Sequence, residues 1–161
     1  VEELMPELLA DITYYRRSGG GITLSGGEIL GQPDFARDLL RACKQHGLHT
    51  AVESTANAPV ESIAKVLPYL DLFLMDIKHM DSEKHEAFTT RPNGLILENA
   101  RKIAEHAKSF ISVELSMGQM IEDVRLATEC KRPVTLCNRA GGMIPSPDQV
   151  LDAIRNAQKG E

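Results

Sequence analysis

The chain has 161 residues, of which 42% are hydrophobic and 25% are charged, as is typical of an ordinary globular domain. Its formal net charge of −5 argues against nucleic acid or an anionic membrane surface as the main partner, because both attract basic proteins. No apolar run approaches the roughly 20 residues of a membrane-spanning helix, which argues against a membrane protein.

Helix-like and strand-like patterns alternate along the chain. The run 70–75 is almost continuously apolar, as expected for a strand buried on both faces of a parallel sheet. In chain order we expect a helix over 4–18, a strand over 22–25, a helix over 33–47, a strand over 49–54, a short helix over 59–67, a strand over 70–75, a capped turn over 81–85, a helix over 95–107, a strand over 111–115, a helix over 117–129, a strand over 134–137 and a helix over 148–158.

Helical segments separate the predicted strands, so the strands cannot be joined as hairpins. Connections of this kind join parallel strands and are right-handed. The sequence therefore predicts an α/β fold with a parallel sheet of about five strands and helices around it.

Polar residues follow the first three predicted strands. They form the clusters Gly26-Gly27-Glu28, Glu53-Ser54-Thr55 and Asp76-Ile77-Lys78. Ligands bind at the carboxyl ends of strands in open sheets and in barrels, so three such clusters together predict a binding site. Each cluster taken singly is also typical of a solvated strand end or a helix cap.

The residue types in these clusters suit an amino-acid-like ligand. Glu28 offers a carboxylate to a ligand ammonium, and the glycines Gly26 and Gly27 expose backbone carbonyls that a Cβ atom would shield. Lys78 offers an ammonium to a ligand carboxylate. The alternative for Lys78 is a surface salt bridge with Asp76, which contributes little to stability.

Cysteine and histidine spacing predicts neither a metal site nor a catalytic triad. The three cysteines, at positions 43, 130 and 137, have no CxxC or CxxxCxxC spacing, and none of the five histidines has a metal-ligand spacing. Free cysteines of this kind fit a reducing cytoplasm. We therefore assign no catalytic residue and no metal ligand.

The first 60% or so of the chain closely resembles the glycyl-radical-enzyme activating enzymes of the pyruvate formate-lyase activase type, in the radical S-adenosylmethionine superfamily. The resemblance rests on several strings of residues taken together. They are 11–28 (DITYYRRSGGGITLSGGE), Gln32-Pro33, 49–55 (HTAVEST), 71–79 (DLFLMDIKH) and 93–99.

This resemblance implies a partial (β/α) barrel, with an open doubly wound sheet as the alternative. It also implies that S-adenosylmethionine is the cofactor and that a glycyl radical enzyme is the partner. Residues 26–28 match the motif that meets the methionyl amino group, and Asp76 and Lys78 match the segment that approaches the methionyl carboxylate. Glu53, Ser54 and Thr55 match a strand end near the sulfonium and a monovalent-cation site.

Two departures from the family pattern limit these expectations. Members of the family bind a [4Fe–4S] cluster through the cysteines of a CxxxCxxC loop, and the sequence contains no such loop. Without three thiolates, electron delivery to the sulfonium has no route, so we expect the chain to be inactive alone. A smaller departure is Ile29, which stands where the family's GGEP motif has proline.

The C-terminal part resembles a different family. Residues 111–125 and 138–145, with the last helix, are similar to the alpha subunit of branched-chain 2-oxoacid ferredoxin oxidoreductases. The sequence therefore predicts a join between Leu97 and Phe110, with an activase-like region at 1–103 and a second α/β segment at 104–161. The second segment either completes the same sheet or forms a separate domain.

The leading hypothesis is thus a fragment of a cytoplasmic radical S-adenosylmethionine activating enzyme that keeps the cofactor-binding scaffold. The alternative is a non-catalytic scaffold or interaction module derived from an oxidoreductase subunit. An incomplete barrel would leave a sheet edge exposed, which predicts a homo-oligomer.

Overall fold

The computed structural model describes residues 1–159, and no helix within them is long and apolar enough to cross a membrane. In chain order the elements of this part are α1 (Met5–Leu8), α2 (Ile12–Ser18), β1 (Gly21–Leu24), a 3-10 turn (Ile29–Gly31), α3 (Pro33–Gln45), β2 (His49–Ser54), α4 (Val60–Val66), a second 3-10 turn (Leu67–Tyr69), β3 (Leu72–Met75), α5 (Ser82–Thr89), α6 (Gly94–His106), β4 (Phe110–Glu114), α7 (Gln119–Ala127), β5 (Val134–Asn138) and α8 (Pro147–Lys159).

All strand pairs in the described residues are parallel, which confirms the α/β class with about five parallel strands. β1, β2 and β3 form one sheet in that order, with Gly21 opposite His49 and Ala51 opposite Leu72. β4 and β5 form a second sheet, with Phe110 opposite Val134.

The strands therefore lie in two sheets, where the sequence predicted a single one. Two helices, α5 and α6, separate β3 from β4. Ala107 and Phe110, just before and at the start of β4, pack against the core beneath the first sheet. The two sheets are thus connected through apolar packing around α6 rather than through backbone hydrogen bonds.

The main core lies between the first sheet and helices α3, α4 and α6. Leu40 from α3, Val52 from β2, Ile63 and Val66 from α4, and Ile103 from α6 are buried together there. The apolar spacing of the three helices explains this arrangement, because residues three and four positions apart lie on one helical face.

A second cluster forms around Ile22, Leu39, Cys43 and Leu48, and the N-terminal helices pack against it. The sequence predicted one helix over 4–18, whereas the structure has two short helices separated by residues 9–11, the second of which ends at Ser18 as predicted. Met5, Leu8, Leu9, Ile12 and Tyr15 all pack against the second cluster. The break in the helix turns the chain so that both short helices reach this cluster.

The face of the first sheet opposite its helices is open to solvent. Successive side chains of a strand point to opposite faces, and Val52 faces the helices together with its register partner Phe73. Thr23, Glu53 and Leu74 consequently lie on the other face, where all three are exposed. We call this surface the open face.

Candidate functional site

The fold brings the three polar clusters to one edge. Residues 26–28 follow β1, residues 53–55 end and follow β2, and residues 76–78 follow β3. Because β2 lies between β1 and β3 and all three run in the same direction, their carboxyl ends are neighbours. The sequence-based expectation that these clusters meet at one sheet edge agrees with this topology.

Gly26 and Gly27 form the turn that leaves β1. Both have positive φ angles, 85° and 50°, which a residue with a Cβ atom adopts only with strain. No heavy atom lies within 4 Å of the Cβ position that either glycine would have. The turn therefore presents its backbone to open space.

Glu28 is held by four hydrogen bonds from the protein itself. Its Oε1 accepts from the Leu30 amide at 3.1 Å and from Ser54 Oγ at 2.7 Å. Its Oε2 accepts from Thr55 Oγ1 at 2.9 Å and from the Thr55 amide at 3.3 Å. An ionised carboxylate has about four acceptor positions, so internal donors fill those of Glu28.

The lowered pKa of Glu28 agrees with a carboxylate that is held by hydrogen bonds. Burial works to raise its pKa, but hydrogen bonds from Ser54, the Leu30 amide and Thr55 outweigh that effect, so the pKa lies below its ordinary value. Glu28 thus remains ionised and ties the glycine turn to the end of β2, 26 residues further along the chain.

Within the part of the chain that the structure describes, the Glu53 carboxylate accepts fewer hydrogen bonds than that of Glu28. It lies on the open face and is exposed, and its Oε2 accepts a hydrogen bond from Ser25 Oγ at 2.7 Å. Sequence reasoning did not single out Ser25. The register signals it, because Leu24 pairs with Val52 and the next residues along, Ser25 and Glu53, are therefore opposite each other.

Asp76 and Lys78 form an ion pair with each other, and both side chains are substantially exposed. The Asp76 amide donates to the Ser54 carbonyl at 3.1 Å, which continues the β2–β3 pairing by one residue. The surface salt bridge weighed as the alternative for Lys78 is thus present. An exposed pair of this kind contributes about 0–1 kcal/mol, so it opposes a competing ligand only weakly.

The described residues do not fit an iron–sulfur cluster. Cys43 is a buried residue of α3 in the second cluster, Cys137 is buried in β5, and Cys130 is exposed beyond the end of α7. Within residues 1–159, no group of three His, Cys, Asp or Glu side chains is arranged to hold a metal ion.

Known proteins similar to this chain are activating enzymes. The choline trimethylamine-lyase activating enzyme of Oleidesulfovibrio alaskensis is 43% identical over 83% of this chain and 44% of its own length. The (2S)-3-sulfopropanediol dehydratase activating enzyme of Klebsiella oxytoca is 45% identical over 69% of this chain and 35% of its own length. The pyruvate formate-lyase-activating enzyme of Clostridium pasteurianum is 46% identical over 55% of this chain and 37% of its own length. No model of a protein family matches the chain.

These alignments also bear on the C-terminal part. An alignment that covers 83% of 161 residues extends past about residue 130 wherever it starts, so it crosses the join predicted between Leu97 and Phe110. The resemblance of the C-terminal part to an oxidoreductase subunit is not shown by these relatives. The chain spans less than half the length of the curated relatives that it matches.

A solved structure supports the same family. The crystal structure of a domain of a pyruvate-formate lyase-activating enzyme from Bacteroides vulgatus superposes with a TM-score of 0.59 at 31% sequence identity. The match covers 87% of this chain and 94% of that domain. Sequence and fold therefore agree, and the chain belongs to the glycyl-radical-enzyme activating enzymes of the pyruvate formate-lyase type, within the radical S-adenosylmethionine superfamily.

Proposed function

We propose that this chain provides the S-adenosylmethionine-binding edge of an enzyme that generates a glycyl radical on a partner enzyme. The observation that carries the proposal is the meeting of the three polar clusters at the carboxyl ends of β1, β2 and β3, beside the open face. Their charges suit a zwitterionic methionyl group, which has one ammonium and one carboxylate.

The ammonium of the cofactor would be met by the backbone carbonyls of Gly26 and Gly27 and by the exposed carboxylate of Glu53. Glu28, which the sequence predicts as an ammonium partner, would act mainly by holding the glycine turn in place, since its acceptor positions are filled. Ser54 and Thr55 would contribute through Glu28.

The carboxylate of the cofactor would be met by Lys78. Its present partner, Asp76, competes only weakly because both side chains are exposed. Once released from Lys78, Asp76 offers a second carboxylate at the same edge. In this family the bound cofactor supplies a radical group by reductive cleavage at its sulfonium, and no electron-transfer step is assigned to the described residues.

We also propose that the 161 residues on their own assemble no [4Fe–4S] cluster and cleave no cofactor, because their cysteines belong to separate elements. Reconstitution with iron and sulfide checks this through the absorbance of iron–thiolate bonds and the release of 5′-deoxyadenosine. A stoichiometric cluster accompanied by cleavage would contradict the proposal.

The partner is proposed only as a glycyl radical enzyme, because the names of the relatives specify different lyases and dehydratases. The division into units 1–103 and 104–161 is likewise a proposal, and the separation of the two sheets supports it. Cytoplasmic location and oligomerisation through an exposed sheet edge also stay predictions.

Isothermal titration of the purified chain with S-adenosylmethionine tests the binding edge. We expect saturable binding to the wild type and at least tenfold weaker binding to Glu53→Gln. Asp152→Asn is a matched control, because Asp152 is an exposed carboxylate on α8 in the second unit. If the wild type does not bind at any accessible concentration, the alternative of a non-catalytic scaffold related to an oxidoreductase subunit is favoured.

A further inference from the structure

Helix α6 buries an asparagine whose side-chain amide nitrogen binds the backbone of a distant loop. Asn99 is 0% exposed, and its Nδ2 donates to the carbonyls of Ala56 and Ala58, both at 2.8 Å. Its Oδ1 is buried and has no hydrogen-bond partner among residues 1–159. An unsatisfied buried acceptor destabilises a protein, so the two hydrogen bonds from Nδ2 to the loop are what offsets the burial of this side chain. The function of Asn99 therefore concerns the loop.

The loop that Asn99 holds has a strained backbone. Ala56 is fully buried and has a φ angle of 57°, in the left-handed region that is unfavourable for a residue with a Cβ atom. The two carbonyls bound by Asn99 belong to Ala56 and to Ala58, and so flank Asn57. Immediately before this point are Ser54 and Thr55, which donate to the Glu28 carboxylate.

A second asparagine, at the N-cap of the same helix, holds the neighbouring loop. Asn93, the residue before α6, is 2% exposed, and its Nδ2 donates to the carbonyls of His79 at 3.0 Å and Met80 at 2.5 Å. These carbonyls end the segment that follows β3 and contains Asp76 and Lys78. Each asparagine thus bridges two carbonyls in a different loop.

The two side chains act at two neighbouring strand ends from one rigid element. Six residues of α-helix correspond to about 9 Å along the helix axis. We infer that Asn93 and Asn99 are positioning residues of the cofactor site: Asn99 sets the loop after β2, and Asn93 sets the loop after β3. This inference rests on the proposed function, because it is that function which makes the two loops part of a binding edge.

The test compares Asn99→Leu and Asn93→Leu, which keep side-chain volume but remove the amide donors, with the wild-type chain. We expect each variant to bind S-adenosylmethionine about tenfold more weakly in calorimetric titration. Amide hydrogen exchange provides the readout of position. Asn99→Leu should speed exchange at the amides of Ala56 and Asn57, and Asn93→Leu should speed exchange at the amide of Asp81.

Ile96→Val is the matched control, since Ile96 is a buried residue of α6 whose side chain cannot form hydrogen bonds. It should lower the unfolding midpoint slightly while leaving cofactor affinity and the exchange of both loops unchanged. A variant that loses stability but keeps its affinity and its loop protection overturns the inference. If the wild type itself fails to bind, the proposed function fails and the inference with it. If the wild type and both Leu variants bind equally, the inference alone fails.

Discussion

The two sheets differ in what lies at their carboxyl ends. The first sheet is covered on one face by α3, α4 and α6 and ends in glycines, carboxylates and a lysine. Beyond the ends of β4 and β5 lie apolar side chains, with Met117 79% and Ile144 76% exposed. The first sheet therefore has a polar edge suited to a charged small molecule, whereas exposed apolar side chains accompany the polar groups at the corresponding edge of the second.

The two sheets nevertheless share one feature: a glutamate carboxylate at a strand end accepts hydrogen bonds from the segments around it. Glu28 after β1 and Glu114 at the end of β4 each accept four hydrogen bonds from the residues nearby. Glu114 receives them from Ser112, Ser116 and the amides of Met120 and Ile121, at the start of α7. Glu114 is only 5% exposed, whereas Glu28 is an exposed residue. The two glutamates thus accept the same number of hydrogen bonds but differ in burial, so comparing them isolates the effect of burial on stability.

Core truncation should have the largest effect, and its size should depend on whether the truncated side chain is buried. Leu40→Ala removes a completely buried side chain of α3 and should lower the free energy of unfolding by about 2–5 kcal/mol, through lost burial and a cavity. Leu126→Ala in α7, at 72% exposure, should change it by less than about 0.5 kcal/mol. Urea unfolding of both variants measures the difference. Equal losses would contradict the contrast in burial between these two positions.

The two carboxylates provide the next comparison. Glu114→Gln places an amide group against buried N–H donors and should destabilise the fold by about 2 kcal/mol. Glu28→Gln should cost about 1 kcal/mol, because the exposed carboxylate loses less when its charge is removed. Urea midpoints at neutral pH give both values. A larger loss of stability in Glu28→Gln than in Glu114→Gln would mean that burial does not determine how much these hydrogen-bonded carboxylates stabilise the fold.

Acid should weaken both sheets through the same two groups. Burial works to raise the pKa of Glu114, but hydrogen bonds from Ser116, the amides of Met120 and Ile121, and Ser112 outweigh it, so its pKa is lowered as that of Glu28 is. A carboxylate with a folded pKa below the unfolded value of about 4.3 stabilises fully above that pH. This stabilisation is lost as the pH falls through the folded pKa.

The check is the unfolding free energy measured between about pH 2 and pH 7 for the wild type and both Gln variants. The wild type should lose stability below about pH 4.3, and Glu114→Gln and Glu28→Gln should each show a shallower loss. Identical acid profiles for all three proteins would show that neither carboxylate contributes.

Much of the fold was predictable because it depends on local pattern. β2 was predicted at its observed bounds, since its apolar and polar residues lie between clear breaks at Gly47 and Pro59. β3 begins two residues later than predicted, at Leu72. The preceding Asp71 carboxylate accepts from Lys44 and Thr50, and so serves a polar contact at the strand entrance.

The location of the polar edge could be predicted from the sequence, but the hydrogen bonds within it could not. Parallel strands in the order β1-β2-β3 necessarily bring their carboxyl ends together, and sequence alternation is enough to infer this. Ser54 and Thr55 donate to Glu28 across 26 and 27 positions of the chain, and Asn99 donates to Ala58 and Ala56 across 41 and 43 positions. Such contacts depend on the conformation of loops, which local periodicity does not encode.

Substitution of Lys78 should have the smallest effect on stability, so it can separate a role in binding from a role in folding. Its ion pair with Asp76 is exposed, as is the pair of Lys131 with Glu129 at 3.0 Å beyond the end of α7. Removing either lysine by substitution with Ala should change the unfolding free energy by less than about 0.5 kcal/mol. Only Lys78→Ala should weaken binding of S-adenosylmethionine, by at least tenfold in calorimetric titration, because only Lys78 lies at the polar edge. Equal affinity of the two variants would remove Lys78 from the proposed site, whereas a large loss of stability in Lys78→Ala would show that the pair holds the β3 end in place.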